Sequence, residues 1–146
     1  MTTALVFVDT NVFAYALDRA DTAKQRLAQA VIHEHRRAVV VSTQILLELY
    51  AVCTRKLGMN RDDARAAVRA VADFPVTHTD RALAVDALQL AATNQLSIFD
   101  AAIVCAAQRS RCQTILTEDL NAGQRFGEVV VVNPFAGSHR EALSAR

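Results

Sequence analysis

The sequence predicts an α/β fold, a single domain with a central parallel sheet flanked by helices, and three observations carry that expectation. Short apolar runs without alternation recur at Leu5–Val8, Val39–Val41 and Val129–Val132, the pattern of strands buried on both faces. Between them lie longer stretches with helical spacing and capping residues, the alternation that builds parallel sheets. Finally, the 146 residues are 52% hydrophobic and 21% charged, which suits one domain with a substantial core rather than a disordered chain. No internal repeat, low-complexity segment or linker divides the chain. Residues 1–136 are expected to form the domain and 137–146 a polar tail.

The first strand ends abruptly at Asp9, where Thr10-Asn11 turn into the apolar stretch Val12–Leu17. Thr22-Ala23-Lys24-Gln25 reads as a capping box opening a helix with Leu27, Ala30 and Val31 on its inner face. That helix gives out in the polar His33–Arg37. After the second strand, Ser42 is placed to cap a helix from Thr43 to Lys56, ended by Gly58. Asn60 caps the next helix, with Asp62 and Asp63 in the first turn where the helix dipole favours them. Its inner stripe is Ala64, Val68 and Val71, and it stops before Pro75.

Phe74–Thr77 is expected as a short third strand. Thr79 or Asp80 opens a helix carrying Leu83, Ala87, Leu88 and Ala91 and closing at Asn94. Ser97 caps another, running through Ile98, Phe99, Ile103, Val104 and Ala107. Thr114–Thr117 and Val129–Val132 complete a sheet of four to five strands.

Composition narrows the function classes. A net charge of +1 gives no uniform field for indiscriminate nucleic-acid binding. Lysine occurs only as Lys24 and Lys56; the other basic residues are arginine. Cys53, Cys105 and Cys112 are odd in number and form no C-x-x-C pair, so free thiols in a reducing compartment are expected, not a zinc site. No apolar run approaches the roughly 20 residues that span a bilayer, and the start lacks a secretory pattern, which together lead to a cytoplasmic expectation.

Four acids stand apart from ordinary helix faces and caps. Asp9 ends the first strand and Asp119 follows the strand at Thr114–Leu116. Glu48 interrupts the apolar Ile45–Val52, and Asp100 lies in Ser97-Ile98-Phe99-Asp100-Ala101. Each has a plain structural explanation: a strand-end turn or helix cap for Asp9, a capping box for Asp100, a turn for Asp119. Glu48 is hardest to explain so. On a largely apolar face, an uncompensated carboxylate costs several kcal/mol unless a cation or donor meets it, and an arginine is the competing partner.

Taken jointly, the four can point into one crevice at the carboxyl edge of the sheet, where open α/β folds bind ligands. Like charges about 4 Å apart repel by roughly 1 kcal/mol in water and about 4 kcal/mol at an effective dielectric near 20. Oxygen-only ligands select hard cations, so Mg²⁺ or Mn²⁺ would answer that repulsion. A pair of such ions serves phosphodiester hydrolysis.

Val8-Asp9-Thr10-Asn11, the helix start from Ser42 to Glu48, Ser97–Ala101 and Leu116-Thr117-Glu118-Asp119-Leu120 resemble the successive motifs of the PIN-domain ribonucleases. The ending from Arg125-Phe126-Gly127 to Asn133-Pro134-Phe135 resembles the VapC-type toxins of bacterial toxin–antitoxin pairs. The resemblance runs from the first strand to Phe135. It implies a PIN-like three-layer α/β/α fold and a Mg²⁺- or Mn²⁺-dependent endoribonuclease with one or two ions. It also implies a homodimer and a cognate VapB-like antitoxin that holds the enzyme inactive.

By the same resemblance Asp9, Glu48, Asp100 and Asp119 form the catalytic acids, with Asp9, Asp100 and Asp119 as metal ligands and Glu48 acting through a water. Thr10, Asn11 and Thr117 line the site, and the Thr-x-Asp pattern favours Asp119 over Glu118 as the fourth acid.

Weaker signals point elsewhere or nowhere. Arg61, Arg65 and Arg69 recur at helical spacing as a basic stripe, read as a solvated face before an RNA contact. His33 and His35 lack the H-E-x-x-H spacing of zinc proteases, and Ser42 and Ser97 are caps rather than nucleophiles, with no G-x-S-x-G elbow around them. Phe13 and Tyr15 lie close to Asp9 in sequence, with core packing their expected role. Two rival functions share the acids: a Mg²⁺-binding phospho-receiver-like module, which needs a lysine at the end of its last strand, and a catalytically silent scaffold.

Overall fold

A computed structural model describes residues 3–136; the expected tail at 137–146 lies outside the described residues. Strand β1 (Val6–Val8) leads into α1 (Thr10–Leu17) and α2 (Thr22–Glu34). Then come β2 (Val39–Ser42), α3 (Thr43–Arg55), α4 (Arg61–Val71), β3 (Val76–Thr77), α5 (Arg81–Asn94) and α6 (Ile98–Arg109). Strands β4 (Thr114–Leu116), β5 (Arg125–Phe126) and β6 (Val129–Val132) close the order.

The sheet runs β3-β2-β1-β4-β6-β5. All pairings are parallel except β5 against β6. The expected sheet of four to five parallel strands is therefore a six-stranded, mostly parallel sheet with one antiparallel edge. The two residues of β5 are too few to carry a periodic signal. Val6–Val8 and Val39–Val41 are buried throughout, as strands covered on both faces require.

Chain direction across the sheet decides where a ligand can sit. From β1 the chain steps outward to β2 and β3, then returns to the other side of β1 as β4. The strand order reverses between β1 and β4, so a crevice opens outside their carboxyl ends. Asp9 and Thr117 are the residues immediately beyond those ends.

Caps agree with the sequence in most places. Ser42, Asn60 and Ser97 accept from the N–H groups of Ile45, Asp63 and Asp100, and Asp80, one of the two alternatives, caps α5 through Leu83. The exception is α2: Asp21, not Thr22, accepts the Lys24 N–H, and Thr22 is already helical. Either oxygen satisfies an orphan donor of the first turn, and the carboxylate suits the positive helix end better. Gly58 follows α3 at φ 64°, where the Met59 N–H returns to the Cys53 carbonyl at 3.0 Å, a left-handed exit that glycine makes without strain.

On the helix faces, Ala28 is buried in place of Ala30, and Leu88 is exposed instead of packed. All three cysteines are buried free thiols, and burial pushes the Cys112 thiol up to about 12. No single helix among the described residues is long and apolar enough to cross a membrane.

Candidate active site

A cleft of about 620 Å³ opens at the switch point, and Asp9, Glu48, Asp100 and Asp119 all line it. Four elements deliver them: β1 ends at Asp9, α3 carries Glu48, α6 carries Asp100, and the turn after β4 carries Asp119. The four sequence-predicted acids thus share one space although they lie up to 110 residues apart in the chain (119 minus 9).

Asp9 is the most confined, at 5% exposure. Its Oδ1 accepts the Thr10 N–H at 2.7 Å, so it caps α1 while also facing the cleft. Its Oδ2 accepts from the Thr117 hydroxyl at 2.7 Å and from Asn11 Nδ2 at 3.4 Å. Burial pushes its carboxyl up to about 6. The hydrogen bonds from Thr117 and Thr10 oppose the rise, and the charges of Asp119 and Glu48 add to it.

Glu48 is half-buried and held by two neutral donors: the Thr10 hydroxyl to Oε2 at 2.9 Å and Gln44 Nε2 to Oε1 at 2.8 Å. Gln44, one turn earlier on α3, also donates to the Phe99 carbonyl at 3.2 Å, which ties the start of α6 to Glu48. On α6, Ser97 caps the helix through the Asp100 N–H at 3.1 Å. Burial raises the Asp100 pKa, the Ser97 hydroxyl opposes the rise, and the charges of Asp119 and Glu48 reinforce it.

Asn11 acts as the hub. Its Nδ2 lies 3.0 Å from Asp119 Oδ2 and 3.2 Å from Thr117 Oγ1, and its Oδ1 accepts the Glu118 N–H at 3.4 Å. Thr10 and Asn11 line the cleft as expected. Thr117 does not: it is fully buried and serves from beneath, donating to Asp9 while its Oγ1 accepts the Asp119 N–H at 3.0 Å. Its hydroxyl supports the site without bordering the cleft.

Among the described residues none of the four acids has an ion pair; the pairs are Lys24–Glu118, Arg65–Asp62 and Arg109–Asp80. The arginine that was the competing partner for Glu48 is absent from that set. The donors are all oxygen, the chemistry of Mg²⁺ and Mn²⁺ sites. As they stand, no three described Asp, Glu, His or Cys side chains converge tightly enough to grip an ion, so binding would draw the carboxylates inward.

Three features escaped the sequence reading. Gln44 lies one turn before Glu48, a spacing that makes the contact legible in retrospect. Tyr15 packs against the core as expected but also donates to Glu118 Oε1 at 2.6 Å, and Lys24 reaches Glu118 Oε2 at 3.2 Å. Lys56 borders the cleft as well. Neither lysine stands at the end of a strand, as a phospho-receiver would need.

Comparisons with known proteins agree with this fold. The PIN domain family model matches residues 6–126. No curated protein matches the sequence. Among solved structures, the sarcin–ricin-loop-cleaving toxin VapC20 of Mycobacterium tuberculosis is similar at 23% identity, covering 75% of this chain and 86% of that one, with a TM-score of 0.66. A toxin–antitoxin complex from Klebsiella pneumoniae is similar at 18% identity, over 89% and 98% of the two chains, with a TM-score of 0.68. DNA-bound VapBC from Salmonella typhimurium gives 16% identity over 88% and 97%, with a TM-score of 0.64. At these identities the likeness is one of fold.

Proposed function

The chain belongs to the PIN domain family, and on that premise we propose that it is a metal-dependent endoribonuclease acting as the toxin of a toxin–antitoxin pair. One observation carries the reading. Asp9, Glu48, Asp100 and Asp119 line a single cleft at the switch point of the sheet, and no cation among the described residues neutralises any of them. Carboxylates left in mutual repulsion are a recipe for instability unless a divalent cation is their purpose.

Asp9, Asp100 and Asp119 would hold one or two Mg²⁺ or Mn²⁺ ions. When bound, such an ion acidifies water and offsets charge on the scissile phosphate. The protein's own part is positioning. Asp9 is fixed by Thr10, Thr117 and Asn11, so its carboxylate keeps one orientation. Glu48, clamped by Thr10 and Gln44, is the carboxylate available to orient the attacking water and take its proton. Asn11 tethers Asp119, linking the acids after β1 and β4. Among the described residues no histidine lines the cleft, and the carboxylates are the groups proposed to handle the proton.

RNA as the proposed substrate is supported by the family and by the likeness to VapC20, a sarcin–ricin-loop-cleaving toxin. A cognate VapB-like antitoxin is the proposed partner, supported by the toxin–antitoxin complexes among the structural neighbours. Charge complementarity would let an antitoxin arginine enter the acidic cleft. A homodimer is part of the same reading, and the exposed Leu47, Leu88 and Phe99 support a protein-covered surface there. The buried thiols of Cys53, Cys105 and Cys112 support a cytoplasmic location.

The test is cleavage of total cellular RNA by the purified protein in Mg²⁺, Mn²⁺ or EDTA, with Asp100→Asn as the matched control. Discrete fragments that need metal and disappear in the variant are the expected result, and their ends identify the target. Equal behaviour of two folded proteins would leave a partner-binding scaffold in place of an enzyme.

A further inference from the structure

We infer that Lys24 and Tyr15 form a positioning network that captures Glu118, keeping it out of the acidic cluster so that its neighbour Asp119 alone faces the metal. The inference rests on the metal-dependent reading above.

Glu118 and Asp119 are adjacent acids at the same strand end and both border the cleft, yet their surroundings differ. Both Glu118 oxygens are engaged: Oε1 accepts the Tyr15 hydroxyl at 2.6 Å and Oε2 pairs with Lys24 Nζ at 3.2 Å. Lys24 also donates to Tyr15 Oη at 3.1 Å. Its ammonium lies 4.2 Å from the Tyr15 ring centroid and 5.3 Å from that of Phe135, and those rings meet edge-on at 4.9 Å. The ammonium is thus fixed by two hydrogen bonds and two aromatic faces.

The network reaches Asp119 through the backbone. Glu118 N–H donates to Asn11 Oδ1 at 3.4 Å, while Asn11 Nδ2 donates to Asp119 Oδ2 at 3.0 Å. Fixing the Glu118 side chain on one side therefore sets the turn that presents Asp119 on the other. Freeing Glu118 would loosen the turn that holds Asp119 toward the cleft. Groups that support metal ligands in this way cost about 10–100-fold in metal affinity or activity when removed.

The experiment measures Mn²⁺ binding by calorimetry and, separately, kcat on one RNA substrate, for wild type, Lys24→Met, Lys24→Arg and Tyr15→Phe, with thermal melting to establish folding. Lys24→Met is expected to weaken Mn²⁺ binding by about 10-fold or more and to lower kcat. Lys24→Arg, which keeps charge and donors, should recover most of both. Unchanged Mn²⁺ affinity in folded Lys24→Met overturns the network, as does a folded Lys24→Arg no better than Lys24→Met.

Should Lys24→Met not fold, Tyr15→Phe removes one hydroxyl, and wild-type Mn²⁺ affinity in that variant overturns the network equally. A wild type that neither binds Mn²⁺ nor cuts RNA brings down the proposed function, and the network with it. A wild type that does both beside an unaffected Lys24→Met brings down the network alone.

Discussion

Two kinds of carboxylate border the same cleft, and they differ in what neutralises them. Glu118 has a lysine, a tyrosine hydroxyl and an aromatic wall around that lysine. Asp9, Glu48 and Asp119 have neutral donors: backbone N–H groups, threonine hydroxyls and side-chain amides. Neutral donors fix a carboxylate's orientation without cancelling its charge. The contrast teaches that these acids are arranged rather than compensated, which is what a cation site needs before its cation arrives.

The largest effect should come from the most confined member of the uncompensated set. Asp9→Asn keeps the cap on α1 through its amide oxygen but removes a charge, and should lower RNA cleavage by at least about 100-fold in a single-turnover assay. The same substitution should raise the melting temperature of metal-free protein.

The pH dependence sharpens that point. Asp9 titrates at about 6 in the fold against 3.8 normally, so ionising it opposes folding. Its favourable contribution is fully present below about pH 3.8 and is lost as pH rises through about 6. About two pKa units correspond to roughly 3 kcal/mol. Metal-free wild type should gain stability on going from pH 7 to pH 5, with Asp100, shifted the same way, adding to the gain. Asp9→Asn should lose most of this dependence, and identical melting profiles for the two proteins would remove Asp9 as its source.

A smaller effect separates the neighbours. Asp119→Asn should cost about 10–100-fold in cleavage, and Glu118→Gln less than about 10-fold, because the amide can still accept from Tyr15. The reverse order, read from kcat, would put Glu118 in the metal set. Smallest of all, Arg65→Ala should change stability by less than about 0.5 kcal/mol by denaturant unfolding. Its pair with Asp62 is exposed at both ends, 71% and 87%.

Much of the site was legible because it rests on local rules. Asp9 and Asp119 stand just past apolar strand runs, and Glu48 breaks an apolar helix face, so each is visible in a short window. The Lys24–Glu118 contact joins residues 94 apart and Tyr15–Glu118 joins residues 103 apart; no periodicity links such partners. Tyr15 was read as core because its neighbours are apolar, although its hydroxyl needs a polar partner when partly buried. Thr117 came to the site through the family resemblance, and its full burial beneath Asp9 has no sign in a short window. The edge strand β5 was missed because two residues cannot show an alternation, and the cap of α2 was read at Thr22 and not at Asp21 because Thr22-Ala23-Lys24-Gln25 carries the capping-box pattern while Asp21 has Lys24 in the fourth place.

The central claim is that Asp9, Asp100 and Asp119 are left uncompensated in order to hold a divalent cation. Anomalous diffraction from a crystal of the protein soaked in Mn²⁺ tests this most directly. The account predicts an anomalous peak in the cleft, coordinated by Asp9 and Asp100 and reached by Asp119, with Glu118 still on Lys24. A peak held by Glu118, or none in the cleft at a Mn²⁺ concentration that supports RNA cleavage, would contradict it.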